Sequence, residues 1–232
     1  MKEVIFINSV IIVAGGSGSR MNMDINKQFI KLNNKEIILH TIDKFYNNKN
    51  IDEIVVVIKK EEENYFNEII KKYDYKDIKI SYAGKERQDS VFNGINSLNK
   101  NTEIVLVHDG ARPFVDDFII NNSINEAKKI GALVVGVKVK DTIKVVKNNE
   151  IESTLKRDEL ISVQTPQTFK YDILKKAYLK AYEDNFYGTD DSSLVERLGI
   201  KVKVIDGSYD NIKITTKEDL VFSQEIIKKI NS

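Results

Sequence analysis

An unbroken apolar run followed at once by a cluster of glycines, residues 10–18, is the feature that most constrains this chain. Five consecutive apolar residues, 10–14, are typical of a strand buried on both faces of a parallel sheet. Three of the next four residues are glycine. Glycine lets the backbone approach a ligand closely or adopt a positive φ, and successive backbone N–H groups in such a turn bind anions. With Arg20 and Lys27 downstream, the loop suits a polyphosphate.

Neither of the common phosphate-loop motifs fits these glycines. A P-loop needs Gly-x-x-x-x-Gly-Lys-Ser/Thr, and no lysine follows the glycines at that spacing. The dinucleotide fingerprint would begin at Gly16 and Gly18, but its third glycine position holds Met21. Judged from the loop alone, a flexible strand-to-helix turn with a solvated Arg20 and Lys27 remains an open alternative.

The rest of the chain alternates apolar strands with amphipathic helices. Strands are predicted at residues 10–14, 54–58, 78–82, 104–107, 132–137 and 202–205. Helices are predicted at residues 36–46, 61–73, 87–98, 116–130, 171–182, 190–198 and 216–230. This order predicts an α/β fold, a single Rossmann-like domain over residues 1–232 with a mostly parallel sheet and helices on both faces.

Residues 138–164 depart from this pattern. They are polar and rich in β-formers, and Asn148 and Asn149 separate two alternating runs, which favours a hairpin. Because the segment has too few apolar residues to build a core, we expect a projecting β-arm rather than a second domain. An isolated hairpin is marginal in water and needs a surface to pack on, and a twofold partner supplies one. A homodimer formed through the arm is therefore predicted.

Composition excludes several classes of protein. The net charge of +1 gives no argument for binding nucleic acid or a membrane surface. The absence of cysteine excludes disulfides and thiolate chemistry, and two histidines are too few for a histidine-based zinc site. No stretch reaches transmembrane length, and the apolar residues 4–7 are too short for a signal peptide. We therefore expect a cytoplasmic protein with small-molecule substrates.

Polar clusters follow four of the predicted strands, and parallel strands bring such ends to one edge of the sheet. The clusters are Arg20 with Lys27, residues 84–90, residues 108–113 and residues 209–215. Lys213 lies between two isoleucines on a predicted short strand, where a charge needs a partner or a ligand. Asp109 and Asp210 offer the oxygen ligands that Mg²⁺ prefers beside substrate phosphates. Taken singly, Asp109 has the alternative of capping a turn, and His108 that of a structural histidine.

The ordered motifs resemble the cytidylyltransferases that act on sugar-alcohol phosphates. They are Val13-Ala14-Gly15-Gly16-x-Gly18-x-Arg20-Met21, Lys27-Gln28-Phe29, Gly84-x-Glu86-Arg87-x-x-Ser90-Val91, His108-Asp109-Gly110-Ala111-Arg112-Pro113-Phe114, Asp141-Thr142, Gln164-Thr165-Pro166-Gln167, Thr189-Asp190-Asp191 and Asp210-Asn211-x-Lys213. The sequence is most similar to the 2-C-methyl-D-erythritol 4-phosphate cytidylyltransferase family of the non-mevalonate isoprenoid pathway. The resemblance implies a nucleotidyltransferase that uses CTP and Mg²⁺.

The resemblance also implies a role for each motif residue. The implied catalytic residues are Arg20, Lys27 and Lys213, and the implied metal ligands are Asp109 and Asp210. The implied nucleotide-binding residues are Ala14, Gly15, Gly16, Gly18, Gly84, Arg87, Ser90 and Gly110. The implied contacts to the sugar-alcohol phosphate are Arg112, Thr142, Arg157, Thr165 and Thr189, with Thr142 and Arg157 reaching the neighbouring subunit's site from the arm.

Two other readings and three departures stay open at this point. A ribitol-5-phosphate cytidylyltransferase has the same fold and chemistry, and a non-catalytic nucleotide-binding module is the alternative outside enzymes. Asn26 stands where relatives usually have proline, so the loop is expected to be less rigid. Gly110 replaces the usual alanine after the aspartate. Ala83 replaces the first glycine of a pair, which matters little unless that position has a positive φ.

Overall fold

The main sheet of this computed structural model has seven strands, and the structure describes residues 5–16 and 26–231. The strands are β1 (Ile7–Val13), β2 (Lys31–Leu32), β3 (Lys35–Glu36), β4 (Glu53–Ile58), β5 (Ile78–Tyr82), β6 (Thr102–Asp109), β7 (Ala132–Lys138), β8 (Lys144–Lys147), β9 (Glu150–Thr154), β10 (Ile161–Lys170) and β11 (Lys203–Asp206). Their order in the sheet is β11-β7-β10-β6-β1-β4-β5. Only β10 runs against its neighbours. The predicted α/β fold with a mostly parallel sheet is confirmed.

Helices cover both faces of this sheet, as predicted. They are α1 (Ile37–Tyr46), α2 (Glu63–Lys72), α3 (Arg87–Ser97), α4 (Asp117–Ile130), α5 (Tyr171–Glu183), α6 (Asp191–Arg197) and α7 (Lys217–Asn231). Val10 and Ile12 of β1 pack in a cluster with α1, α2 and α4, whereas Ile11 between them packs with α3, α5 and α6. Alternate side chains of a strand point to opposite faces, so the apolar run of β1 is buried on both sides.

The longest strand of the sheet, β10, is missing from the sequence-based prediction. The predicted arm includes its first residues, 161–164, but Ile161 to Val163 pair with β7, residues 167–169 pair with both β6 and β7, and Lys170 pairs with β6. The ladder with β7 is interrupted between Val163 and Gln167, around Pro166. Proline has no N–H to donate and the run is rich in polar residues, so the sequence shows no strand period here.

The predicted arm hairpin consists of β8 and β9, which form a two-stranded sheet of their own. Asn148 and Asn149 have φ of 50° and 65° in the turn between them. Asparagine tolerates this left-handed region better than most residues, which explains why two asparagines suffice. Both faces of β9 are exposed, so a surface for the hairpin to pack on is absent among the described residues of this one chain.

A small third apolar cluster connects the turn after β6 with α7. Leu32, Ile37, Phe114 and Ile214 are buried together there, and Leu220 and two isoleucines of α7 pack against them. Residues 211–215 do not join a sheet, so the predicted short strand around Lys213 is wrong. A bond from the Ile214 N–H to the Ala111 carbonyl (2.9 Å) and one from Arg112 to the Asn211 carbonyl (2.8 Å) attach this segment to the turn after β6.

None of the helices in the described ranges is long and apolar enough to span a membrane.

Helix α3 packs closely on the sheet at Gly94. A Cβ added to Gly94 would lie 2.6 Å from Ile11 Cγ2 and 3.2 Å from Val57 Cγ2, both in the core. Alanine would gain about 1 kcal/mol of helix propensity, but overpacking of this kind costs about 1–3 kcal/mol. We expect Gly94→Ala to lower the free energy of unfolding by about 1 kcal/mol, the balance of the two effects, in urea titrations. The matched control is Asn96→Ala, at an exposed position of the same helix. Equal stability of the two variants would contradict the packing argument.

Candidate active site

A cavity of about 680 Å³ lies at the edge of the sheet where β1, β4, β5 and β6 end. Parallel strands place their carboxyl ends together, and ligands of open α/β sheets bind at that edge. The residues that line it are Val13, Ala14, Gly15, Gly16, Lys27, Gln28, Lys59, Lys60, Glu61, Ala83, Gly84, Lys85, Glu86, Arg87, Ser90, Asp109, Ala111, Lys213 and Thr215. Nine predicted site residues are brought together here: Ala14, Gly15, Gly16, Lys27, Gly84, Arg87, Ser90, Asp109 and Lys213.

Two glycines of the cavity wall are needed for close approach between backbone segments. A Cβ on Gly15 would lie 2.3 Å from Ala83 Cβ, and one on Gly84 would lie 2.3 Å from Asp89 Cβ. Neither glycine has a positive φ, and Ala83 does not either. The glycines are therefore required by crowding rather than by backbone conformation, and alanine at position 83 fits its conformation without strain.

The start of α3 is held by hydrogen bonds within its own turn. The Ser90 hydroxyl accepts from the Gly84 N–H (3.0 Å) and lies 3.0 Å from the Glu86 carbonyl, to which it donates. The Asp89 carboxylate accepts from the Glu86 N–H (2.9 Å). These bonds fix the wall that Gly84 and Ser90 present to the cavity.

Arg87 forms a two-pronged ion pair with a buried carboxylate. Its two terminal nitrogens lie 3.0 and 2.8 Å from the two oxygens of Asp191, and the Tyr178 hydroxyl donates to the same carboxylate at 2.5 Å. Burial alone would lower the pKa of Arg87, but Asp191 raises it above its usual value. Such a fork is rigid, so Arg87 presents a fixed positive charge to the cavity. The sequence motif contains Asp191, but its role as this partner was not predicted.

Asp109, at the end of β6, is surrounded by cations. Its Oδ2 lies 3.0 Å from Lys213 Nζ and 3.3 Å from Arg112 Nε. Burial alone would raise the pKa of Asp109, but the positive charges of Lys213, Arg87 and Arg112 hold it well below its ordinary value. Asp109 is therefore ionised at every physiological pH, as a metal ligand must be.

Arg112, Gly110 and Thr165 lie behind this carboxylate rather than in the cavity wall. Arg112 Nη1 donates to the Asn211 carbonyl (2.8 Å), and Thr165 Oγ1 accepts from the Asp109 N–H (3.1 Å). The Gly110 N–H donates to the Val13 carbonyl (2.9 Å), and the Gly110 carbonyl accepts from the Thr41 hydroxyl. These contacts hold the turn that carries Asp109.

His108 belongs to the same supporting structure. The imidazole lies between Thr165 Oγ1 (3.1 Å) and the Arg112 carbonyl (3.0 Å), and no part of the residue is exposed. Burial lowers its pKa to about 4. His108 therefore supports the turn as a neutral side chain, in agreement with the structural alternative.

The charges that line the cavity favour an anion. Among the described residues, six cationic and three acidic residues line it: Lys27, Lys59, Lys60, Lys85, Arg87 and Lys213 against Glu61, Glu86 and Asp109. An excess of one sign in a cleft concentrates ligands of the opposite sign. Within the described residues, clusters of three or more potential metal-ligating side chains are absent, so a metal ion here would need oxygens of a bound substrate as well.

The remaining predicted site residues lie elsewhere or outside the described residues. Thr142 and Arg157 line a separate hollow of about 560 Å³ on the arm. Thr189 is exposed just before α6, and Asp210 pairs with Lys229 at 2.6 Å. Gly18 and Arg20 fall in residues 17–25, which the structure does not describe, so their roles stay predictions.

Lys59 and Lys60 line the cavity but were not predicted. They follow β4 directly, so they obey the same rule of polar residues at strand ends that identified the other clusters. The signal was present in the sequence, but the charged run from residue 59 to 63, two lysines followed by three glutamates, fits a solvated helix face equally well.

Comparisons with known proteins show the family of this chain. A family model described as 2-C-methyl-D-erythritol 4-phosphate cytidylyltransferase matches residues 8–229. A protein of that name from Clostridioides difficile is 61% identical over 94% of this chain and 93% of its own length. One from Clostridium novyi is 50% identical over 97% of this chain and 98% of its own.

Solved structures show the same likeness. The crystal structure of 4-diphosphocytidyl-2C-methyl-D-erythritol synthase from Anaerococcus prevotii superposes with a TM-score of 0.85 at 36% identity, covering 96% of each chain. That of the Francisella tularensis 2-C-methyl-D-erythritol 4-phosphate cytidylyltransferase gives 0.82 at 35% identity, covering 95% of this chain and 99% of the other. With a family match over nearly its whole length and a site at the expected sheet edge, this chain belongs to the 2-C-methyl-D-erythritol 4-phosphate cytidylyltransferase family.

Proposed function

We propose that this protein transfers CMP from CTP to 2-C-methyl-D-erythritol 4-phosphate, giving 4-(cytidine 5'-diphospho)-2-C-methyl-D-erythritol and pyrophosphate. Its place is the cytoplasm, in isoprenoid precursor synthesis by the non-mevalonate route. The observation that carries the proposal is the convergence of Lys27, Arg87, Asp109 and Lys213, from four separate segments, on one cationic cavity in a chain of this family. The names of the relatives favour methylerythritol phosphate over ribitol phosphate as the acceptor.

The reaction we propose is a direct in-line displacement. An oxygen of the acceptor phosphate forms a bond to the α-phosphorus of CTP, and the bond from that phosphorus to the oxygen bridging to the β-phosphate breaks, releasing pyrophosphate. The chain has no cysteine, and both histidines hydrogen-bond backbone or threonine atoms, so a thiolate nucleophile is excluded and each imidazole is already held by hydrogen bonds. Lys27 and Lys213, with Arg20 from the undescribed loop, would stabilise the charge that builds up on the phosphate oxygens.

Mg²⁺ fits this site through Asp109 and the phosphates of CTP. Asp109 supplies an ionised oxygen ligand at the cavity wall, which suits an ion that prefers one or two carboxylates beside substrate phosphates. A bound Mg²⁺ would neutralise phosphate charge and orient the triphosphate. Asp210 is the second carboxylate that we propose near the ion, because Mg²⁺ prefers hard oxygen ligands, although here Asp210 pairs with Lys229.

Nucleotide and acceptor selectivity test the function itself. The walls around Gly15, Gly84 and Ser90 are closely packed, and a site built to hydrogen-bond one base edge leaves its polar groups unpaired with another. With purified protein and Mg²⁺, we expect pyrophosphate release with CTP and 2-C-methyl-D-erythritol 4-phosphate. The kcat/KM for UTP, ATP or GTP should be lower by about 10²-fold or more. Preference for ribitol 5-phosphate, or equal use of purine nucleotides, would overturn the assignment.

Metal dependence tests Asp109. We expect EDTA to abolish activity and added Mg²⁺ to restore it. Asp109→Asn should raise the Mg²⁺ concentration for half-maximal activity by about tenfold or more, because the variant loses the charged ligand. Asp210→Asn is the matched variant, and the same shift there would place Asp210 at the ion as well. An unchanged Mg²⁺ requirement in Asp109→Asn would remove Asp109 from the metal site.

We also propose that the working unit is a homodimer whose arms complete each other's sites. The arm has no described surface of its own chain covering β9, and its hollow carries Thr142 and Arg157. Arg157 donates to the Lys140 carbonyl (3.1 Å), and its remaining guanidinium donors suit a phosphate. The acceptor phosphate would then be held between the cavity of one subunit and the arm of the other.

Subunit mixing tests this arrangement. Lys27→Ala should lose about 10²–10³ in kcat, and Arg157→Ala should be similarly weak because the acceptor phosphate is no longer held. In a heterodimer of the two, one shared site carries both defects and the other carries neither. Random exchange should therefore restore about a quarter of the wild-type activity. Mixing Lys27→Ala with Lys213→Ala, both in one subunit's cavity, should restore nothing. Exchange without recovery in the first mixture, or a fully active monomer, would disprove the shared site.

A further inference from the structure

The buried carboxylate of Glu62 connects the segment that carries Lys27 with the segment that carries Lys59 and Lys60. Glu62 closes the single 3-10 turn Lys60–Glu62 after β4 and is only 8% exposed. The lysines that precede it, Lys59 and Lys60, line the cavity. The other segment is the 3-10 turn Lys27–Phe29, whose first residue lines the cavity as well. Glu62 therefore lies where these two segments meet.

Hydrogen bonds from both segments converge on this one carboxylate. Oε1 accepts from the Asn26 side-chain amide and from Gln28 Nε2 (3.3 Å). Oε2 accepts from the Lys59 N–H (3.1 Å) and again from Gln28 Nε2 (3.4 Å). Asn26 and Gln28 are the immediate neighbours of Lys27 on either side, so Glu62 holds the backbone of Lys27 from both directions.

Burial and a ring contact also hold the same turn in place. Gln28 is 2% exposed and Phe29 is 6% exposed, and the Phe29 ring meets the Tyr65 ring of α2 edge-on, with centroids 5.1 Å apart. The turn that carries Lys27 is thus packed against the start of α2 and tied to it through Glu62.

The bond from Asn26 to Glu62 also restrains the backbone conformation just before Lys27. The φ of −57° and ψ of 133° at Asn26 lie in the region that proline favours. A proline would hold that backbone conformation by its ring. In this chain the Asn26 side chain holds it instead, through its bond to Glu62.

We propose that Glu62 is a positioning residue for Lys27, taking over through Asn26 and Gln28 the restraint that a proline would impose. The inference rests on the proposed function, because it gives Lys27 its role at the reacting phosphate. Burial raises the pKa of Glu62, and the bonds from Lys59 and Asn26 oppose that shift. A buried carboxylate is costly unless donors converge on it, and here they come from both segments.

A double-mutant cycle tests the proposal. Glu62→Gln keeps the shape but replaces one acceptor oxygen with an NH₂ group that faces two donor groups, since each oxygen of Glu62 accepts from two. A displacement of about 1 Å in a catalytic group can lower the reaction rate by up to about 10²-fold. We therefore expect kcat to fall about tenfold, with KM for CTP changed much less. In the Lys27→Ala background the same substitution should lower kcat by no more than about twofold, because the group it positions is already gone.

The matched control is Glu68→Gln, an exposed carboxylate on α2, which should leave kcat unchanged in both backgrounds. Urea midpoints establish that each variant is folded at the assay temperature. Asn26→Ala removes one bond while leaving Glu62 in place, and serves if Glu62→Gln does not fold. It should show a smaller loss that also disappears in the Lys27→Ala background.

The outcomes separate this inference from the proposed function. Full activity of Lys27→Ala itself would remove the proposed role of Lys27. If Lys27→Ala is impaired but Glu62→Gln lowers kcat by the same factor in both backgrounds, Glu62 has only a structural role. No effect of Glu62→Gln in a folded protein would likewise overturn the positioning proposal and leave the proposed function standing.

Discussion

The register between β1 and its two neighbours is the constraint on which the site depends. Val13, the last residue of β1, pairs with Val57 on one side and with Asp109 on the other. The Ala14 N–H then donates to the Val57 carbonyl (2.8 Å), and the Gly110 N–H to the Val13 carbonyl (2.9 Å). These parallel ladders bring Gly15 and Gly16, the lysines after β4 and the carboxylate at the end of β6 to the same edge of the sheet.

Because β1 is buried on both faces, that register cannot slip. A shift by one residue would exchange Ile11 with its neighbours and move the side chains of one core into the other. The packing of α3 against Ile11 through Gly94 reinforces the same alignment. The strand at the centre of the core therefore also determines where the residues that line the cavity lie relative to one another.

Charge organises what the sheet has brought together. Asp109 binds Lys213 and Arg112, Asp191 binds Arg87, and Glu62 accepts from both neighbours of Lys27. Each buried or half-buried carboxylate is matched to donors from another segment, which is how such groups are tolerated away from water. The three acidic side chains thus hold the segments that carry these cations together, although the positive charges around the cavity repel one another.

The sequence by itself determined the alternation of strands and helices and nine of the residues that meet in the cavity, because these follow from local period and from the rule that strand ends converge. It did not reveal β10, since Pro166 and a polar run conceal the strand period, nor that residues 211–215 stay outside the sheets. Tertiary structure alone decided which carboxylate holds which cation. Asp191 is 104 residues from Arg87, and Glu62 is 36 from Asn26. Contacts over such separations leave no periodic trace in a sequence, because they depend on how whole elements pack rather than on the spacing of neighbours.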